Sequence, residues 1–547
     1  MLLKIKKVDF KTALYKDSMS YFATVIILFV IPLVALYPDH SALRDYAKPF
    51  FLFVWLGCCI SLKIVLNTSD HNMNRFMDWL ETNMPVILSI LICAYILFFF
   101  GLAKLKYDSF GGYMTDDAHF MQFFHLAYKG GHLEKTVLGD NMLGTHLSFI
   151  LYIFLLPYFV YPSVYTILFL KAAIVGLSGI PLYLIIKKKH NSVVSMCIVL
   201  SYLLFHQVAE ANIIDFHEVI IAPFFLLYTY YFFKEGRFGL FMMFFLLSLS
   251  IKENMVIVLF VFGIYALLLG RSRKWILTPL IVSCSWVGLG LKIVLPYFSV
   301  AKSLSTMHVD TINRLLGFLK DPMGGVGHLY DRRWMGLIYT LFQPVLFVGP
   351  LLSMDFIFVV PWVLIKIVIG GCPQVRTWHF LIIAGFLFIA FADSLKKIES
   401  MFGNRRYALA TSVVALFICV SCFPYWLRVE EYIPKSYIEG QKEAIKLIPD
   451  GASVCAPEYM LSYLVNRGEV YNEVSFQKGI KRDIDFIIFD SHIKEYRKRW
   501  ESRDITPEFI KRLRELAPQK RTYLDYGYYW DKDGIFIYRN KGCKIQR

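Results

Sequence analysis

Apolar runs about as long as a bilayer is thick recur along most of this chain. A helix needs about 20 apolar residues to cross the hydrocarbon core. Inside lipid only helices and closed barrels satisfy their own backbone groups. The runs are continuous rather than alternating, so helices are expected. Spans are read near 20–37, 48–66, 85–103, 164–186, 193–209, 219–233, 238–251, 255–270, 275–296, 336–352, 354–370, 379–394 and 406–425. The expected fold is therefore an all-α polytopic membrane protein of about thirteen spans. Composition agrees: 57% of the 547 residues are hydrophobic and only 18% are charged. The basic N-terminus, MLLKIKKVDFKTALYK, precedes the first run with no small-residue cleavage site after it, so that run is read as a retained span.

Lysine and arginine in short loops set which side each loop faces. With thirteen spans, the N-terminus and the basic links KKKH (187–190), KEGR (234–237), RSRK (271–274) and 394–406 all fall on the cytoplasmic side. The loop at 67–84, with one arginine against three acids, fits this rule least well. The segment 147–165 is apolar enough to cross. Crossing would put KKKH outside, so it is read as an interfacial or re-entrant helix broken at Pro157 and Pro162.

This topology brings ten ionisable residues to the outer ends of spans: Asp116, Asp117, His146, Asp215, His217, Glu218, Lys252, Glu253, Arg376 and His379. Charged residues near the membrane interior are costly and mark function. Their convergence from five distant stretches suggests one site. Each stretch also has a simpler reading. In TDDAHFMQ, Thr115 or Asp116 suits the cap of a helix starting near Ala118, while a carboxylate pair in a poorly hydrated pocket suits a general base. In ANIIDFHEVII, Asp215 and His217 suit substrate orientation or an interfacial polar belt. The second histidine of a zinc-protease motif is missing. In SIKENMVI, Lys252 suits a phosphate or a lysine reaching back to water. In CPQVRTWHF, Arg376 and His379 suit a phosphate clamp or an interface anchor.

From about residue 430 the sequence turns mixed and polar. It reads as helix, turn, strand and helix, then a buried strand at 483–490 and a hairpin turning at Asp533–Gly534. This divides the chain into a membrane domain, 1–429, with an outer loop at 104–163, and a small α/β domain, 430–547, on the outer side. Cys455 and Cys543 both fall in the second domain, and the sequence leaves their pairing open. Cys419 and Cys422 form a C-x-x-C inside an expected span with no partner pair, a poor metal site. The net charge of +16 points to anionic lipid or a lipid-linked anion, and no nucleic-acid motif is present.

The order of motifs is specific. An acidic stretch ending F-x-Q (Asp116, Phe120, Gln122) is followed by H-x-S-x-I-L-Y from His146. N-x-x-D-F-H-E from Asn212 and K-E-N at 252–254 come next. This order resembles a family of bacterial and archaeal membrane proteins of unknown function, over roughly residues 105–475. That family in turn is similar to the GT-C superfamily of membrane glycosyltransferases. The chain departs from the family at His119 and Asn254, and in two extra spans before the outer loop. The resemblance implies a multi-pass cell-membrane enzyme that moves a sugar from a polyprenyl-phosphate carrier to an extracytoplasmic glycan, lipid or protein, with inversion. It implies a catalytic aspartate in the first outer loop, Asp116 or its neighbour Asp117. Gln122, His146, Asn212, Asp215, His217, Glu218, Lys252, Glu253, Arg376 and His379 would then bind substrate. No cofactor is assigned, and a divalent cation, Mg or Mn, stays open because Asp215 or Glu218 is of the type that holds one. A lipid-linked glycan flippase and an envelope-assembly scaffold are the competing classes. A transport path predicts charges facing both sides, whereas these gather at one. No internal repeat is visible, which also weighs against a secondary transporter.

Overall fold

The computed structural model describes residues 44–67, 70–111, 115–130, 140–299, 352–369, 377–402, 405–421, 432–467, 469–472, 484–492 and 526–543. It also describes residues 134, 135, 137, 313, 314, 316, 317, 320, 338 and 341–346. The expected first span, 20–37, lies outside them, as does Arg376.

Helices α1 (Arg44–Asn67) and α2 (Asp70–Asp108) lead to α3 (Thr115–Tyr128). Then come α4 (Leu151–Val160), α5 (Val164–Leu177), α6 (Gly179–Lys187), α7 (Ser192–Leu203) and α8 (His206–Ile213). Among the described residues three helical runs are long and apolar enough to cross a membrane: Met77–Asp108, Val164–Lys187 and Arg273–Phe298. Helices α7 and α8 qualify together, bent by 50° at the break between them. The run Met77–Asp108 is 32 residues, roughly 48 Å at 1.5 Å per residue, against about 30 Å of hydrocarbon. Its polar end, Lys104 to Asp108, is therefore carried beyond the apolar stretch. Shorter apolar helices α9 (Ala222–Glu235), α10 (Phe238–Leu249) and α11 (Val256–Leu268) complete the first half.

The described later part contains α12 (Arg273–Leu289), α13 (Val360–Ile369), α14 (Leu381–Phe402) and α15 (Arg405–Ser421). Helix α14 is buried along most of its length and sits at the centre of the bundle. Phe386 there stacks on Phe358, with centroids 4.6 Å apart. Helices α2 and α5 approach closely at Gly176, where an added Cβ would fall 2.6 Å from Ile96 Cγ1.

Two sequence expectations are corrected. Helix α4 runs through Pro157 and ends at Val160. Tyr161 is extended, as a residue before proline is sterically pushed to be, and Pro162 follows it. Helix α3 starts at Thr115 rather than near Ala118, so Asp116 and Asp117 lie in its first turn. The helix dipole favours acidic residues there.

The C-terminal part pairs α16 (Ile438–Leu447) with a five-stranded mixed sheet. The strands are β1 (Ser453–Ala456), β2 (Glu469–Asn472), β3 (Phe486–Asp490), β4 (Tyr526–Lys532) and β5 (Ile535–Asn540), in the order β2-β1-β3-β5-β4. β1 runs parallel to β2 and β3, and the last two strands are antiparallel. The hairpin turns at Asp533 (φ 50°) and Gly534 (φ 75°), the positive-φ pair that a two-residue hairpin needs. The core of this part includes Phe110, Ala118 and Val137, so it is continuous with the start of α3.

Candidate functional site

The motif stretches meet at one end of the bundle, and most of the ties between them join different motifs. Asp117 is 8% exposed, and its Oδ1 accepts the Phe216 backbone N–H at 2.5 Å. That bond fastens the acidic helix to the D-F-H-E segment. Around it Phe120 packs edge-on against Phe216 and His217. Glu218, in the same segment, is fully buried. Its Oε1 lies 2.7 Å from Lys252 Nζ, and its Oε2 lies 3.0 Å from His217 Nδ1. Glu253 Oε1 is 3.0 Å from His146 Nδ1, and its Oε2 accepts the Leu147 N–H at 3.1 Å. The Ile150 N–H bonds Ser250 O at 2.9 Å, a second link between the same two stretches. Alternation along 214–218 thus sends Asp215 to one side and Glu218 to the other.

Asp215 and Asp117 line a small cavity of about 20 Å³, room for about one water. Its walls come from Lys106 and Tyr107 at the end of α2, Leu168 on α5, and Glu458, Tyr459, Ser462 and Tyr463 of the C-terminal part. Lys171, fully buried one helical turn beyond Leu168, donates to Ile214 O. Burial and the nearby Asp215 carboxylate push the Asp117 carboxyl up to about 7. The Lys171 charge, the Phe216 N–H and Lys106 pull against them.

The C-terminal part closes this cavity through aromatic contacts. Tyr463 stacks between Tyr107 (4.3 Å) and Phe110 (4.2 Å), and its hydroxyl donates to Tyr107 O. Ser109 Oγ donates to Tyr432 O at 3.0 Å. The Tyr459 hydroxyl donates to the fully buried Asp490, which also accepts the His492 N–H at 2.7 Å.

The structure separates the expected residues by role. Asp117, Asp215, His217, Glu218, Lys252, His146 and Glu253 form the linked cluster. Gln122 does not line the cavity: it is buried, and its Oε1 accepts the Val137 N–H at 3.2 Å, bracing the loop after α3. Asn212 is buried behind the cluster, beside the Tyr95 hydroxyl. His379 lies in the turn Thr377–Phe380, which packs on α8 and on the start of the Glu218–Ile221 turn. Arg376 lies outside the described residues, as does the side chain of Asp116. Among the described residues no three His, Cys, Asp or Glu side chains gather at metal-binding spacing. Glu218 is engaged by Lys252 and His217 while Asp215 faces the cavity, so the two carboxylates do not form one ligand set.

Lys171, Lys106, Tyr107, Tyr459 and Tyr463 are not among the residues that the sequence singles out. Lys171 has a readable signal, a lone charge inside the apolar run LFLKAAIVGL. Lys366 on α13 is a further addition. It sits over the Trp362 ring at 4.9 Å and is close enough to Lys252 to feel its charge.

Comparison places this architecture among known folds. The structure of ArnT from Cupriavidus metallidurans bound to undecaprenyl phosphate aligns with a TM-score of 0.50 at 10% identity, covering 82% of this chain and 97% of that one. The archaeal oligosaccharyltransferase AglB from Archaeoglobus fulgidus, solved with an inhibitory peptide and a dolichol-phosphate, aligns at 0.43 and 11% identity, over 83% and 75%. The fold is similar to that of the ArnT structure, in line with the GT-C-like architecture that the motif order leads one to expect. A family model for predicted membrane proteins, DUF2079, matches residues 110–536, and the chain belongs to that family. No curated protein matches the sequence. The chain is a multi-pass membrane protein.

Proposed function

We propose that the chain is an inverting glycosyltransferase. It would move a sugar from a polyprenyl-phosphate donor to an acceptor on the extracytoplasmic side, with the N-terminus cytoplasmic and the 430–547 domain outside. The observation that carries this reading is the linked cluster: the acidic helix, His146, the D-F-H-E segment and Lys252–Glu253 are fastened together at one end of the bundle. The carrier bound in the aligned ArnT structure, undecaprenyl phosphate, supports the donor class.

Asp117 is buried, holds the Phe216 N–H, and opens onto a cavity with room for about one water rather than for a sugar ring. We assign it to positioning and Asp116, its neighbour in the first turn of α3, to the general base. Asp116 takes the acceptor O–H proton, and the oxygen attacks the anomeric carbon. The bond from that carbon to the phosphate oxygen breaks, and its electron pair leaves on the lipid phosphate. The phosphate gains a negative charge in this step, which preorganised cations stabilise. Lys252, His217 and Arg376 are the assigned cations.

Asp116→Asn should lower transfer by about 10²–10⁴-fold, the usual worth of a positioned base. Asp117→Asn, which keeps an acceptor for the Phe216 N–H, should cost less. The assay is sugar transfer from a radiolabelled polyprenyl-phosphate donor pool by membranes of a deletion strain carrying each variant. A wild-type rate in Asp116→Asn would sink the base assignment, and a larger loss in Asp117→Asn than in Asp116→Asn would move it to Asp117.

A further inference from the structure

The end of the bundle opposite the motif cluster holds a second, larger opening. Lys171, beside the cluster, and Lys187 lie on the single membrane-crossing run Val164–Lys187, roughly 24 Å apart along its axis. At Lys187 a cavity of about 360 Å³ opens between the ends of five helices. Its walls are Lys187, Lys188, Lys189, His190, Asn191 and Lys396, with Glu81, Glu399, Val194 and Ala408.

Two of its lysines are committed to carboxylates outside the cavity: Lys188 to Glu235 and Lys189 to Asp393. Lys187 and Lys396 are the adjustable ones. Lys187 pairs with Glu81, the two side chains 36% and 46% exposed, and Lys396 pairs with Glu399 at 3.1 Å. The Lys187–Glu81 pair, exposed on both sides, is of the kind that is worth little and exchanges partners readily, and Lys396 is itself exposed beside a more buried Glu399. The Glu81 carboxylate also accepts the Ser192 N–H, the first of α7, at 3.1 Å, so one anion already rests between a lysine and a helix start. Elsewhere at this end of the bundle Arg271 bonds Phe233 O, Lys397 bonds Leu352 O and Lys274 lies over the Phe238 ring. None of the three has a carboxylate partner among the described residues. This end of the bundle therefore has a positive excess around a cavity of ligand size.

We infer that this cavity binds a phosphate-bearing anion, the headgroup of an acidic phospholipid in the leaflet away from the motif cluster. Basic openings between membrane helices select anionic headgroups because each nearby lysine adds to the attraction. Lys187 and Lys396 flank the opening and supply the contacts. The reading is independent of the glycosyltransferase proposal.

The test uses the full chain purified in detergent. Short-chain phosphatidylglycerol, short-chain phosphatidylcholine and inorganic phosphate are the probes, read by native mass spectrometry and by thermal shift. Wild type should retain phosphatidylglycerol roughly tenfold more strongly than phosphatidylcholine, and Lys396→Glu should erase most of that preference. Lys396 is exposed, so this variant stays informative even where Lys187→Gln fails to fold. Stabilisation by inorganic phosphate equal to that by phosphatidylglycerol, and lost in Lys396→Glu, would keep the anion site but assign it to free phosphate. Equal retention of the two lipids with no phosphate effect, or an unchanged preference in Lys396→Glu, would overturn the inference.

Discussion

Lys252 and Lys187 each pair with a glutamate, at opposite ends of the bundle, and their surroundings differ sharply. Lys252 and Glu218 are 8% and 0% exposed, and the pair joins two motifs across the interior. Lys187 and Glu81 are 36% and 46% exposed, and their pair lies at the rim of an opening. Exposed ion pairs add little to stability. Buried pairs cost desolvation, and losing one partner strands a charge. A buried pair at the motif end is thus poorly explained by stability, and fits the proposed role of Lys252 beside the donor phosphate. The rim pair is of the kind that trades partners.

The difference can be broken at Glu218. Glu218→Ala should leave Lys252 uncompensated in the interior and destabilise the fold by about 3–5 kcal/mol. Replacing both partners, as Glu218→Leu with Lys252→Met, should recover most of that stability while still abolishing transfer. Thermal unfolding in detergent reads the first effect, and the transfer assay reads the second. If the double variant remains active, Lys252 has no role at the phosphate.

Much of the motif end is legible in the amino-acid sequence. D-D, H-x-S, D-F-H-E and K-E are charges interrupting apolar sequence, and cost alone marks such positions. Their division of labour is not legible there. Asp215 and Glu218 are three residues apart, yet one faces a cavity and the other faces Lys252, because the segment between them is extended rather than helical. Gln122 and Asn212 read as binding residues, and both lie buried outside the cavity lining, with Gln122 accepting the Val137 N–H. The cavity wall at Tyr463 is invisible in sequence because its bond to Tyr107 spans 356 residues. The C-terminal domain is readable in outline, down to the Asp533–Gly534 turn, because hairpin chemistry is local. Its docking on α3 is not, since Phe110, Ala118 and Val137 are ordinary apolar residues until the fold brings Met460 and Leu461 against them.

A smaller effect sharpens the assignment of Asp117 to positioning. Its carboxyl is raised to about 7 from an ordinary value near 4. The folded state therefore holds this proton more tightly than the unfolded chain. The associated stability is fully present below about pH 4 and is lost as pH rises through about 7. Asp117→Asn has no such proton. The melting temperature of the variant minus that of wild type should climb by a few degrees between pH 5 and pH 8. A flat difference would mean that Asp117 is fully ionised in the fold. The Phe216 N–H and the Lys171 charge, which both favour the carboxylate, would then outweigh its burial.

The smallest expected effect is at the rim. Glu81→Gln removes the Lys187 partner but leaves an amide oxygen for the Ser192 N–H. Because both side chains are largely in solvent, the loss should stay below about 1 kcal/mol and shrink further in high salt. Transfer activity should be unchanged, because the substitution lies at the end of the bundle away from the cluster. The same change frees Lys187, so retention of phosphatidylglycerol should rise rather than fall. That opposite sign separates a ligand site from a structural salt bridge. A carboxylate that only braces α7 would, when removed, weaken everything nearby, whereas one that occupies a place meant for phosphate yields it.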